Sequence, residues 1–84
     1  MTEAESRALV ARVMDDVVPG ADVTAIADDA DMREELDIDS MDFLNFVAGL
    51  VEATGQDIPE ADYDQIVTLR GCAAYLTARS TPGS

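Results

Sequence analysis

The sequence predicts an all-α fold: a four-helix bundle of three main helices and one short one, with a long loop between the first two main helices. Three observations carry this expectation. Apolar residues recur at helical spacing in separate stretches, capping residues stand at the ends of those stretches, and no stretch alternates apolar and polar residues as a half-buried strand would. The 84 residues suffice for one domain and not for two. A domain of this size buries only roughly 60% of its unfolded surface, so its core has little to spare. The folded unit is predicted over residues 1–79, with Ser80 to Ser84 as a disordered polar tail.

Each element has its own signal. Thr2 and Glu5 have capping-box spacing, and Leu9, Val13 and Val17 then repeat every four residues with Val10 and Met14 beside them. Pro19-Gly20 ends this first helix. Residues 20 to 38 hold scattered apolar anchors among acids (Val23, Ile26, Met32, Leu36, Ile38), with room for a short helical turn around Met32 to Leu36. So long a connection is uncommon in a compact domain and tends to be functional. The second main helix starts at Asp39 or Ser40 and runs to about Thr54, with Gly55 as its C-terminal glycine. Ile58-Pro59 restarts the chain, and Ala61 to Ile66 fits one or two helical turns. Thr68 caps a last helix from Leu69 to about Ala78, with Leu69, Cys72, Ala73 and Leu76 on one face. Short later connections make neighbouring helices roughly antiparallel.

Charge narrows the function. There are 18 acids against 5 arginines, no lysine and no histidine, for a net charge of −13. Such a chain repels nucleic acid and anionic membrane surfaces and is drawn to basic patches on proteins. For most of the acids, solubility is a sufficient reason. The single cysteine, Cys72, excludes an internal disulfide and suits a reducing compartment. The start, MTEAESRALVARV, is acidic where a signal peptide is basic, and no apolar run approaches the roughly 20 residues that span a bilayer. The expected location is the cytoplasm, without membrane insertion.

The second main helix carries more apolar surface than one core face needs. On a wheel of about 100° per residue, Phe43, Phe46, Val47 and Leu50 share a narrow stripe suited to the core. Met41, Leu44, Ala48 and Val51 form a second stripe about a third of a turn away, leaving Asp42, Asn45, Gly49 and Glu52 as the polar side. Either the helix is buried over more than half its circumference, or the second stripe is exposed and docks partners.

At the start of that helix, in ELDIDSMDFLNF, Ser40 stands among Glu35, Asp37, Asp39 and Asp42. A serine nucleophile needs an activating base. The chain has no histidine or lysine, and no G-x-S-x-G turn. Ser40 therefore reads as a plain N-cap, sharing that role with Asp39, or as the substrate of another enzyme. A phosphate attached there suits a helix N-terminus. The acid run offers no calcium loop: an EF-hand started at Asp37 would need glycine and glutamate where Asp42 and Ala48 stand, and one started at Asp29 meets Glu34 and Ser40. No metal site and no catalytic residue are assigned. Cys72 lies in a helical apolar pattern and reads as a buried small hydrophobe. Tyr63 and Tyr75 read as packing residues with a polar tip.

Asp39-Ser40-Met41, preceded by Leu36-Asp37-Ile38 and followed by Asp42 and the double-striped helix, resembles the signature of the acyl carrier proteins. In that family Asp-Ser-Leu opens the second of four helices. The first helix, the acidic loop, Ile58-Pro59, Thr68-Leu69 and Tyr75-Leu76 extend the resemblance over nearly the whole chain. It implies a free-standing, monomeric carrier domain that catalyses nothing. A phosphopantetheinyl transferase, with coenzyme A and a magnesium ion, would attach 4′-phosphopantetheine to Ser40, and the arm's thiol would hold acyl groups as thioesters. Tethering raises the effective concentration of the cargo at each enzyme. The partners implied are that transferase and acyl- or aminoacyl-loading and acyl-processing enzymes. They would meet Asp39, Met41, Asp42 and Leu44, then Asn45, Ala48, Val51 and Glu52 further along the helix.

Four positions differ from the family's usual pattern. Met41 replaces leucine, as in some aminoacyl carriers, including D-alanyl carriers. Asp37 stands where many members have glycine. Asn45 and Val51 stand where carriers of fatty-acid synthesis typically have glutamate, so docking is expected to lean on apolar contact. The pattern suits a dedicated fatty-acid-like, polyketide or secondary pathway. An aminoacyl or peptidyl carrier is the alternative, and an unmodified acidic helical adaptor is the rival class.

Overall fold

A computed structural model describes residues 1–79 of the chain. The predicted tail, Ser80 to Ser84, lies outside the described residues. Helix α1 spans Glu3–Val17 and opens with the predicted capping box. The Glu5 amide donates to Thr2 Oγ1 (3.1 Å) and the Thr2 amide donates to Glu5 Oε1 (2.8 Å), so two N–H groups that lack helical acceptors are satisfied reciprocally. The helix stops ahead of Pro19, and Gly20, at φ 90°, turns the chain in a conformation that disfavours a side chain.

The long connection is ordered by anchors rather than by regular structure. Asp22 caps a 3-10 turn at Val23–Ala25, and Val23 is fully buried. Arg7 of α1 holds Asp28 through both carboxylate oxygens (3.2 and 2.5 Å), and the Arg70 amide donates to the Asp28 carbonyl (3.0 Å). A four-residue helix, α2 (Met32–Glu35), follows where one helical turn was expected. Its start is tied to the segment before the last helix: Met32 N–H donates to the Val67 carbonyl (2.8 Å), and Asp31 pairs antiparallel with Thr68 in an isolated bridge.

Helix α3 spans Ser40–Thr54 and ends on Gly55 in the left-handed conformation (φ 69°). Glu60–Gln65 is helical as expected but is wound as a 3-10 segment after Pro59. Its bonds run from i to i+3, as Asp62 N–H to the Pro59 carbonyl (2.9 Å) and Ile66 N–H to the Tyr63 carbonyl (3.2 Å). A piece this short gains little from α-helical winding. Helix α4 (Leu69–Arg79) is capped by Thr68, whose Oγ1 accepts from the Gly71 amide (3.0 Å).

The core joins α1, α3 and α4 with apolar anchors from the connections. Val10, Met14, Val23, Met32, Phe46 and Leu50 are fully buried in it. Helix α1 packs against both α3 and α4. Against α3 the approach is close: a Cβ added to Gly49 would lie 2.6 Å from Val13 Cγ1. Between α1 and α4, buried Ser6 shares a hydrogen bond with Thr77 (2.8 Å), and Thr77 donates to the Ala73 carbonyl (2.7 Å), so this polar pair is satisfied. Cys72 is buried, and desolvation pushes its thiol up to about 12, which leaves it neutral and unreactive. Tyr75 is buried with its hydroxyl donating to Asp62 (2.8 Å), whereas Tyr63 is half-buried. Among the described residues no helix is long and apolar enough to cross a membrane.

Candidate functional site

The turn leading into α3 fixes where Ser40 stands. Helix α2 ends in a Schellman motif, with Leu36 as its cap and Asp37 left-handed at φ 53°. The Ile38 amide donates to the Arg33 carbonyl (3.1 Å) and the Asp37 amide donates to the Glu34 carbonyl (3.4 Å), the two bonds that define the motif. Ile38 is buried, as Met32 is, which gives the motif its apolar clasp. An aspartate at such a φ is tolerated at roughly 1 kcal/mol above glycine. The clasp holds it there, and the chain enters α3 in one direction.

The capping question is settled locally. Asp39 is the N-cap, and its carboxylate accepts from the Asp42 amide at 2.8 Å. Ser40 is the first residue of the helix proper, and its side chain is exposed. Among the described residues, the Ser40 hydroxyl has no hydrogen-bond partner, so it is free for an attachment. No protein acceptor among the described residues reaches the Ser40 and Met41 amides either, and both lie in the first turn, where the helix dipole favours an anion. Exposed hydroxyl, free N–H groups and a dipole of the right sign fit a phosphodiester on Ser40.

The two stripes of α3 separate. Phe43, Phe46, Val47 and Leu50 are buried. Met41 is 65% and Leu44 48% exposed, and with Met1 they are the large exposed apolar side chains among the described residues. Ala48 and Asn45 are exposed beside them. Val51 differs from the other residues of its stripe. It is half-buried and packs on the core, because its place on the wheel lies between the two stripes. Glu52 is exposed and, with Gly49 and Ala53, lines a groove shared with Arg12, Val13, Asp16 and Val17 of α1. Asp42 is half-buried at the edge of the first turn.

Beside Ser40 lies a second groove of about 340 Å³, walled by Arg33, Phe43, Leu44, Glu60 and Tyr63. Tyr63 meets the Phe43 ring edge-on, with centroids 6.1 Å apart, and the Arg33 guanidinium lies over the same ring at 5.5 Å. Asp31 orients that guanidinium, accepting from Nε (3.1 Å) and Nη2 (2.8 Å). The ion pair lowers the Asp31 pKa and raises that of Arg33, in each case chiefly through this hydrogen bonding. Sequence reasoning missed Arg33. Its only local signal is a cation in an acid run, and the fold brings it to Ser40. Among the described residues no three acids or cysteines gather as metal ligands.

Residues 7–76 match the family described as "phosphopantetheine attachment site". An acyl carrier protein of Rubrobacter xylanophilus is 31% identical over 62 residues, covering 74% of this chain and 76% of that protein. A protein of Streptomyces avermitilis named "Polyketide-8 synthase acyl carrier protein 2" is 34% identical over 79 residues, covering 94% of this chain and 85% of that one. No solved structure matches.

Proposed function

This chain belongs to the acyl carrier protein family, whose cofactor is 4′-phosphopantetheine, and we propose that Ser40 is the residue that bears the arm. Proteins of this family carry and do not catalyse, and they work with transferase and synthase enzymes. One observation supports the assignment to Ser40 above the others: Asp39 does the capping, so the neighbouring hydroxyl is exposed and has no structural duty. When attached, the arm supplies a terminal thiol that holds an acyl group as a thioester. The chain's own residues present the attachment point, stabilise a phosphodiester with the first-turn amides and offer a docking face.

That face is the exposed side of α3. Met41, Leu44 and Ala48 form its apolar centre, Asp39, Asp42 and Glu52 its acidic margin, and Asn45 and Val51 its neutral flank. A face so constituted fits partners that press an apolar surface on it, with few ion pairs. The Streptomyces relative's name supports a polyketide pathway, and the neutral Asn45 and Val51 support a dedicated partner set rather than the primary fatty-acid cycle. The buried lone Cys72 fits a reducing cytoplasm.

Intact-mass measurement tests the assignment. Incubation with a promiscuous phosphopantetheinyl transferase, coenzyme A and magnesium adds one phosphopantetheinyl mass to the wild type and none to Ser40→Ala. Undiminished loading of Ser40→Ala refutes it.

A further inference from the structure

The geometry points to Arg33 as a positioning residue that holds the phosphodiester of the arm on Ser40, an inference that rests on the assignment of Ser40 above. The two residues wall one groove, and Arg33 is the cation that lines it. The surroundings make a cation there consequential: Glu34, Glu35, Asp37, Asp39 and Asp42 all lie near in sequence, and an added anionic phosphate meets their field. The guanidinium is also preorganised. Asp31 grips it through Nε and Nη2, and the Phe43 ring supports it from one face at 5.5 Å. That grip uses two of its five N–H groups, and among the described residues Nη1 makes no hydrogen bond. A planar cation fixed on one edge, with N–H groups left over, is suited to a phosphate oxygen. The first-turn amides of Ser40 and Met41 supply a second, independent set of donors. Together the two sets would restrain the arm at its base, while its thiol end remains free to reach partner enzymes.

The test uses isotope-labelled full-length protein, loaded enzymatically with phosphopantetheine and verified by intact mass. Phosphorus NMR and the arginine N–H signals are then recorded on the loaded chain. The phosphorus line is expected away from its position in the urea-unfolded protein, and loading should shift the Arg33 N–H signals. An exposed charge-assisted contact of this kind changes a population by up to about fivefold. Arg33→Gln should therefore move the phosphorus line most of the way to its unfolded position, and Arg33→Lys part of the way. Asp31→Asn, which frees the guanidinium but keeps it, should retain the displaced line. Because Arg33→Gln also removes the contact with Phe43, a salt series on the wild type gives a second measure, with the line drifting toward the unfolded position as salt rises. A line insensitive to both Arg33→Gln and salt overturns the inference, as does slower loading of Arg33→Gln with an unchanged line, which would place Arg33 against the transferase instead. Loading that leaves Ser40 unmodified overturns the assignment of Ser40 and this inference together. Loading of Ser40 with an unresponsive phosphorus line overturns this inference alone.

Discussion

Replacing Phe46 with alanine tests whether the two stripes of α3 face where the structure puts them. Phe46 is fully buried, its ring centroid 6.2 Å from that of Phe43, among residues that are themselves closed to solvent. Truncation removes the ring's transfer free energy and leaves a cavity that the neighbours only partly refill, about 3–5 kcal/mol in all. At about 0.05–0.15 kcal/mol per residue, a domain of this length has about 4–12 kcal/mol of stability. The substitution therefore consumes a large share of it, and Tm should fall by about 12–40 °C. Leu44→Ala is the control. That side chain is 48% exposed, so deleting its branch should cost roughly 1 kcal/mol or less. Thermal and urea melts of both unmodified variants, followed by far-UV circular dichroism, give the ranking directly. If Leu44→Ala lowers Tm more than Phe46→Ala, the assignment of the stripes is reversed and the docking face goes with it.

Other expectations follow from the same surfaces. Leu44→Asp should weaken transfer to a cognate partner more than Glu52→Gln while leaving the fold intact, since burying a leucine-sized side chain is worth roughly 1.5–3 kcal/mol and an exposed ion pair under about 1 kcal/mol. Affinities across a salt series check this, and a steep salt dependence with Leu44→Asp nearly neutral would make docking electrostatic. Sodium chloride or millimolar magnesium should raise Tm, because the 18 acids repel one another while, of the five arginines, Arg7 and Arg33 are the two in ion pairs among the described residues. A flat or falling Tm would refute this. Asp28→Asn should destabilise the fold at neutral pH. The Arg7 hydrogen bonds hold the Asp28 carboxyl below its ordinary value, so its contribution is present above the unfolded carboxylate range, near about 3.9, and lost as pH falls through the lower folded value. The stability gap between wild type and variant, measured by urea melts, should close on acidification, and a gap that persists at low pH would mean that the pair acts by packing.

Features set by neighbours in the chain were legible in the sequence. The capping box, the glycine after α3, the threonine before α4 and the periodicity of α3 are all local, and each stands where the spacing put it. Ser40 was legible for the same reason, though whether it or Asp39 caps the helix was not. Both residues can accept from the first-turn amides, and only the backbone geometry selects Asp39. Contacts between distant segments left no such trace. Arg7 meets Asp28 across 21 positions, and Ser6 meets Thr77 across 71. Arg33 reaches the Phe43 ring because the left-handed turn at Asp37 folds α2 back toward α3. Val51 lies on the boundary between two stripes, where a wheel cannot say which neighbour covers it.

The contact between Gly49 and Val13 bears on inheritance as well as on packing. With 2.6 Å between Val13 Cγ1 and the place a Cβ would take, any larger residue at Gly49 has to push α3 off α1, and so rotate or tilt the surface on the opposite side of α3. Val13 is β-branched and has little rotamer freedom with which to yield. Alleles that weaken partner recognition should therefore arise at this seam as well as on the exposed apolar face of α3. Suppressors of a Gly49→Ala allele should then map to Val13, where Val13→Ala removes the Cγ1 methyl that the new Cβ meets.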